Sequence, residues 1–350
     1  MWALVRVSHV AFLLGYLVFG VWTGCSEVAF QESPKAACNG FDKPCTTTTV
    51  GNAQYNTFDY NLTVNPPQAD ILFIDDNSGS MYPEQQKMGD RFPNFLASLS
   101  NLDWRIAITT TDVTANGARG SFLDFSGWLK ILTPSTPNKE TLFLNTIRRN
   151  ETGNGDERGV YAANLVIDNR DQNGFFRPDA HFAVVVLSDE DERSNAGTNN
   201  SYPLESYDQP QTFKNNVASK LGASKTVSVH SIVIRPGDQA CLTQQNQDQT
   251  YRGYFGTVYA QLTQLTSGVL GDICASDYGA QLTTIGNQIV KNISSYKLAC
   301  VPTQAPGMQP VVTVQPAAAS TGTIRDDQVF FDPPLAPGTQ VRIQYSCEVR

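Results

Sequence analysis

Residues 71–86 read ILFIDDNSGSMYPEQQ. An apolar run ends abruptly in Asp75, Asp76, Asn77, Ser78, Gly79 and Ser80. The carboxylate of Asp76 and the hydroxyls of Ser78 and Ser80 put three hard oxygen donors into one short turn. A capped turn without any ion uses the same residue types. Farther on, VVVLSDEDE repeats the design: Asp189 follows the apolar run 182–187. In an open α/β sheet, ligands collect outside the carboxyl ends of the parallel strands. If these two strands are neighbours, two carboxylates and two hydroxyls converge. Oxygen donors without nitrogen or sulfur favour Mg²⁺, with Ca²⁺ or Mn²⁺ as alternatives. Convergent buried carboxylates repel one another unless a cation joins them.

The elements that must hold these residues follow from periodicity. Residues 69–74 and 182–187 are short apolar runs without a polar face, suited to strands buried on both sides. Residues 104–110 and 226–234 suit further strands, 268–270 a brief one, and 120–132 an edge strand or hairpin. Helical spacing appears over 84–102, 138–149, 157–167, 212–221, 254–266 and 281–296. Strands alternate with helices, which predicts an α/β fold: a doubly wound, mostly parallel sheet flanked by helices. After Cys300 the composition shifts to Pro, Ala and Thr, and 311–314, 328–331 and 340–345 suit strands of a small C-terminal β module.

The run Asp76-Asn77-Ser78-Gly79-Ser80-Met81 resembles the metal-ion-dependent adhesion site of von Willebrand factor A-type domains, whose pattern is Asp-x-Ser-x-Ser. The preceding strand, the following helix and the later strand–Asp189 junction match in order, over roughly 69–296. The resemblance implies that the two serine hydroxyls bind the ion directly while Asp76 and Asp189 hold it largely through water. An ion so held stays electrophilic and recruits an acidic side chain of a partner protein. The family also supplies a threonine from an intervening loop, here RNETGNGDERGVYAANL. Thr152 is the threonine present in that loop, yet Glu157 lies closer to the expected place, counted back from the helix. A glutamate would add a direct negative charge, tightening the ion and weakening its pull on an acidic ligand. Both assignments stay open here. Asp112, in TTTDV, either reaches the same rim or closes its own turn. Glu190, Asp191 and Glu192 either extend the acidic rim or form a solvated loop, the reading preferred here, and His181 and His230 read as structural.

The N-terminus reads as an export signal: Arg6 precedes an apolar stretch too short to span a bilayer comfortably. Thr23-Gly24-Cys25 is similar to a bacterial lipobox, which implies lipidation of Cys25. Seven cysteines are an odd number for an exported chain. With Cys25 set aside, spacing suggests the pairs Cys38–Cys45, Cys241–Cys274 and Cys300–Cys347, though spacing alone does not decide connectivity. Hydrophobic residues at 41% and charged residues at 17% suit a globular chain, and a net charge of -8 argues against a nucleic-acid partner. The expected organisation is a signal peptide (1–24), a tether with a small disulfide loop (25–67), a von Willebrand factor A-like domain (68–298) and a small β module (299–350). The expected function is metal-ion-dependent protein binding or adhesion at the bacterial cell envelope, without enzymatic activity. The expected location is the outer membrane, facing periplasm or surface, with a lipid anchor. The alternatives are a structural envelope lipoprotein whose metal only stabilises the fold, and a metal-dependent hydrolase.

Overall fold

Two antiparallel strands, β1 (Thr46–Val50) and β2 (Ala53–Thr63), precede the first parallel strand, β3 (Gln68–Asp75). The computed structural model describes residues 45–64, 67–148, 153–198, 200–247, 252–317, 320–333 and 335–349. After β3 come α1 (Tyr82–Ser98), β4 (Asp103–Thr110), α2 (Lys139–Ile147), α3 (Gly159–Asp168), the single turn α4 (Arg170–Asn173) and β5 (His181–Ser188). Then follow α5 (Pro210–Asn216), β6 (Val227–Val233), α6 (Gln239–Gln245), α7 (Thr257–Leu265), β7 (Leu270–Asp272) and α8 (Gly279–Ile293).

These strands form one parallel sheet in the order β4-β3-β5-β6-β7. Successive side chains of a strand point to opposite faces. Ile71 and Phe73 therefore enter one core with Phe92 and Phe95 of α1, Phe143 of α2 and Ile285 of α8, while Leu72 and Ile74 enter another with Val160 and Val166 of α3, Phe213 of α5 and Leu262 of α7. Burial on both faces explains why β3 and β5 lack the polar alternation of a one-sided sheet. Gly286 lets α8 approach α1: a Cβ there would sit 1.7 Å from the Ser98 hydroxyl.

The C-terminal strands are β8 (Ser295–Lys297), β9 (Val311–Gln315), β10 (Thr321–Arg325), β11 (Gln328–Asp332) and β12 (Gln340–Glu348). They build two antiparallel sheets, β1-β2-β12-β9 and β10-β11-β8, around Phe58, Val314, Val329, Ile343 and Tyr345. The expected tether is thus corrected over its described part. β2 pairs with β12 along nine residues, from Thr63↔Gln340 to Tyr55↔Glu348, and Phe58 stacks on Tyr345 with ring centroids 4.8 Å apart. The parallel-sheet domain is inserted between the two parts of this β module. Of the part before residue 68, a short strand around residues 60–64 is readable from the sequence, and β2 includes its first residues; the pairing of β2 with the distant strand β12 leaves no local pattern.

Residues 120–132 form no strand of the sheet. They instead run along the outer edge of β4, where Ile106 and Leu132 exchange both backbone hydrogen bonds (2.9 and 2.8 Å) and Leu123 N donates to Ile108 O (2.9 Å). That cover removes a free strand edge. Disulfides Cys241–Cys274 and Cys300–Cys347 are present. Cys45 is disulfide-bonded too, while Cys38, Cys25 and the signal segment lie outside the described residues. Disulfides on this scale belong to an oxidising compartment. Among the described residues, no helix is long and apolar enough to cross a membrane.

Candidate metal site at the carboxyl edge of the sheet

The strand order places the site. β4 lies on one side of β3 and β5 on the other, so the chain reverses direction across the sheet at the β3–β5 boundary. A crevice opens at such a switch point because the connections leave the two strand ends in opposite directions. Asp76 stands at one lip and Asp189 at the other. The ladder carries past β3, with Asp76 N donating to Leu187 O (3.0 Å), and Thr111 N of the neighbouring strand end donates to Asp75 O (3.1 Å).

Asp76 is fully buried. Its Oδ1 accepts from Ser78 N (2.8 Å) and its Oδ2 from the Ser188 hydroxyl (2.6 Å). The Ser78 and Ser80 hydroxyls lie 3.0 Å apart, and Ser80 partly offsets the upward push of burial on Asp189. From α1, buried Gln85 holds the turn by donating to Asp75 Oδ2 (3.0 Å) and Asp76 O (3.1 Å). The turn closes through one 3₁₀ turn, Gly79–Met81, directly into α1. Gly153 donates to Asn77 O (2.8 Å), and a Cβ there would meet Asn77 Oδ1 at 2.8 Å, so a larger residue would have to displace the Asn77 side chain.

Glu157 completes the cluster. It is fully buried, and one carboxylate oxygen accepts from the Thr111 hydroxyl. Its backbone is clamped, with Arg193 N donating to Glu157 O (2.5 Å) and Glu157 N to the Ser194 hydroxyl (3.2 Å). Glu157 Oε1 and Asp189 Oδ1 are buried and have no hydrogen-bond partner among the described residues. Of the two threonine-position candidates, Thr152 lies outside the described residues, while Glu157 faces the site.

The electrostatics have one sign. Burial, and then the Asp76 charge, push Glu157 well above the usual carboxylate range and raise Asp189 and Glu190 to about 8. Asp76 is itself raised by burial, with Glu84 adding to it. An unpaired buried carboxylate costs several kcal/mol or takes up a proton. This donor set therefore fits a hard divalent cation: hydroxyl and carboxylate oxygens, two of them unspent. The carboxylates are not crowded onto one point. Among the described residues, the acid, His or Cys groups that approach within 4.8 Å of one another in threes are Cys241, Asp272 and Cys274, and those sulfurs are joined in a disulfide. Hydroxyls or water would have to fill out a shell here.

Of the two readings of Asp112, the structure shows the turn: its Oδ1 accepts from Thr114 N (2.8 Å). One expectation fails around this centre, because Asp191 and Glu192 are not solvated but fully buried. Asp191 accepts from Thr257 N (2.8 Å) and Val258 N (3.0 Å) at the start of α7. Glu192 accepts from Val160 N (2.7 Å) and Tyr161 N (3.0 Å) at the start of α3. Unsatisfied amides and the positive end of a helix attract such carboxylates. Burial still raises Asp191 to about 6, and burial with Asp208 raises Glu192 well above its usual range. The consecutive acids 189–192 thus serve two purposes, and their spacing does not reveal it. Ser188, Thr111 and Gln85 went unread in the sequence, although Ser188 and Thr111 each sit at a strand end beside a residue that was singled out.

His181 and His230 are buried and structural, as expected. His181 hydrogen-bonds to Thr226 and Ser228 (both 2.8 Å), and His230 accepts from Val269 N (3.1 Å). Burial holds both near 3, with Lys225 adding to the effect on His181 and His181 to that on His230.

No family model matches the chain, and no curated protein matches it. Among solved structures it is similar to the pilus adhesin SpaC of Lactobacillus rhamnosus GG in its open conformation, at 15% identity and a TM-score of 0.39, over 86% of this chain and 42% of the adhesin. It is also similar to proximal thread matrix protein 1 of the mussel byssus, in a form with a zinc-occupied MIDAS motif, at 15% identity and a TM-score of 0.38, over 69% of this chain and 52% of that one. The chain spans less than half the length of the adhesin and about half that of the matrix protein. The likeness is loose and decides nothing about the site.

Proposed function

We propose that this chain carries a von Willebrand factor A-like domain which binds a divalent cation between β3 and β5 and engages a protein partner through it at the cell envelope. One observation carries the reading. The buried, partnerless oxygens of Glu157 and Asp189 face a rim that is open on the serine side, where Ser78 and Ser80 are half-buried and Gly79 is exposed. The carboxylates would hold the ion from beneath, and the serine edge leaves it reachable from solvent. Mg²⁺, Ca²⁺ and Mn²⁺ suit these oxygens. The bound ion would supply a fixed positive centre for a donor of the partner. The chain acts here by binding, without bond breaking. Turnover of generic phosphoesters that is abolished by Asp76→Ala would reverse that assignment.

The test is the double substitution Ser78→Ala and Ser80→Ala. It leaves the melting temperature of the chelated protein within about a degree, since both side chains are partly solvated. It abolishes calorimetric cation binding and chelator-sensitive retention of partners from envelope extract. Unaltered cation binding in the double variant would refute the reading. Anchoring through Cys25 belongs to the same proposal. Mass spectrometry of the mature N-terminus should find diacylglycerol on Cys25, and an unmodified residue there removes the anchor.

A further inference from the structure

Counting charge around the site leads to a statement about what the ion can bind. Asp76, Glu157 and Asp189 are all buried, and Glu190 stands beside them, half-buried. The nearby guanidinium groups are already engaged. Arg158 is held by Asp208 (2.9 Å) and Glu205 (2.9 Å), and Arg193 by Asp156 (2.8 and 2.9 Å) and Glu205 (3.1 Å). A divalent cation is then the available counter-charge, and the chain's own carboxylates already exceed it.

Glu157 is built in rather than incidental. Arg193 N and the Ser194 hydroxyl grip its backbone, Thr111 binds one carboxylate oxygen, and the other is buried and unspent. Asp189 Oδ1 is a second buried, unspent oxygen in the same cluster. An ion held through a hydroxyl at this position would keep its positive charge and draw in a partner's carboxylate. Resting on the reading above that the site takes a cation, we propose that Glu157 balances the ion's charge, so that the partner's donor is a neutral oxygen, a hydroxyl or an amide carbonyl, and not a carboxylate. A carboxylate approaching the serine edge would meet an ion already neutralised and at least three acids behind it, and like charges at short range oppose it. Glu157 is thus the residue that selects the partner's chemistry.

Calorimetry on the metal-stripped full chain tests this, with Ca²⁺ and Mg²⁺ as probes and acetate as the carboxylate mimic. In the wild type, Ca²⁺ binds and acetate does not tighten it. Glu157→Thr weakens Ca²⁺ by at least about tenfold, because ligand charge sets affinity at oxygen sites, and acetate then strengthens Ca²⁺ binding to that variant. Glu157→Gln, which keeps the shape of the side chain and an oxygen for Thr111, weakens Ca²⁺ similarly; it serves if the threonine variant fails to fold, as read by its thermal melt. Acetate that strengthens Ca²⁺ binding to the wild type overturns the inference. So does a glutamine variant that binds Ca²⁺ as tightly as the wild type. A wild type that binds neither cation sinks the site itself, an outcome distinct from both.

Discussion

One buried aspartate, Asp70, stands near the amino end of β3 and another, Asp76, directly follows its last residue, and the two are treated in opposite ways. At the amino edge, Asp70 is fully buried and saturated. Arg177 Nε donates to Oδ1 and Arg177 N to Oδ2 (both 2.8 Å), and Lys225 Nζ lies 3.8 Å away. At the carboxyl edge, Asp76 is as deeply buried, but its neighbours Glu157, Asp189 and Glu190 carry its own sign. Burial raises the pKa of both aspartates. The nearest charges then lower it for Asp70, whereas Glu84 raises it further for Asp76. A buried acid that serves the fold is neutralised by the chain. A buried acid surrounded by other acids is arranged for a counter-charge from outside.

Substitution at the amino edge should have the largest effect. Arg177→Ala strands Asp70 without its main partner and costs about 3–5 kcal/mol, with the same loss in chelator and in cation. A loss that vanished on adding Ca²⁺ would erase the distinction between the edges. Next comes the ion. Saturating cation should stabilise the wild type by about 2.7 kcal/mol at a hundredfold excess over Kd, read as a rise in Tm over the EDTA-treated protein. Asp189→Asn should keep or raise the Tm in EDTA, because it removes repulsion at similar shape, and should lose the cation-dependent rise. A large fall in EDTA would mean that Asp189 is structural like Asp70.

The pH dependence is smaller and its sign is set. Asp189 and Glu190 hold protons in the folded state up to about 8, whereas an unfolded chain releases them near about 4. The cation-free protein therefore loses stability as pH rises through that window. A cation replaces those protons, so its Tm increment should be larger at pH 8 than at pH 6.5. His181 and His230, held near 3, act the other way. Below about pH 6.5 the unfolded chain takes up protons that the buried rings refuse, and measuring above that pH separates the two. An increment that shrinks toward pH 8 contradicts the assignment of these acids. The smallest effect concerns the caps. Glu192→Ala should cost about 1 kcal/mol by uncovering the α3 amides, in EDTA and cation alike. Cation-dependent rescue would move Glu192 from the fold to the site.

Much of the α/β layout was legible because it rests on local pattern. Apolar runs at 69–74 and 182–187 became β3 and β5, and the helical spacing after Ser80 became α1, each within a few residues. Asp76, Ser78, Ser80 and Asp189 could be picked out because each follows the end of such a run or stands in the turn beyond it. The helix α6 was missed because QACLTQQ buries little beyond Cys241. The burial of Asp191 and Glu192 was missed because their partners are amides 66 and 32 residues away, and a carboxylate's burial depends on those donors rather than on its neighbours in the chain.

The amino-acid order by itself determined which segments form the parallel strands, which donors stand at their carboxyl ends, and that the cysteines suit an oxidising compartment, since periodicity and residue type are local properties. The tertiary structure decided that β5 lies beside β3, that Glu157 arrives from a third loop, and that the strands before β3 and after α8 share one β module. Those outcomes depend on strand order and long-range pairing, where the free energy lies in contacts between residues that no short window of sequence contains.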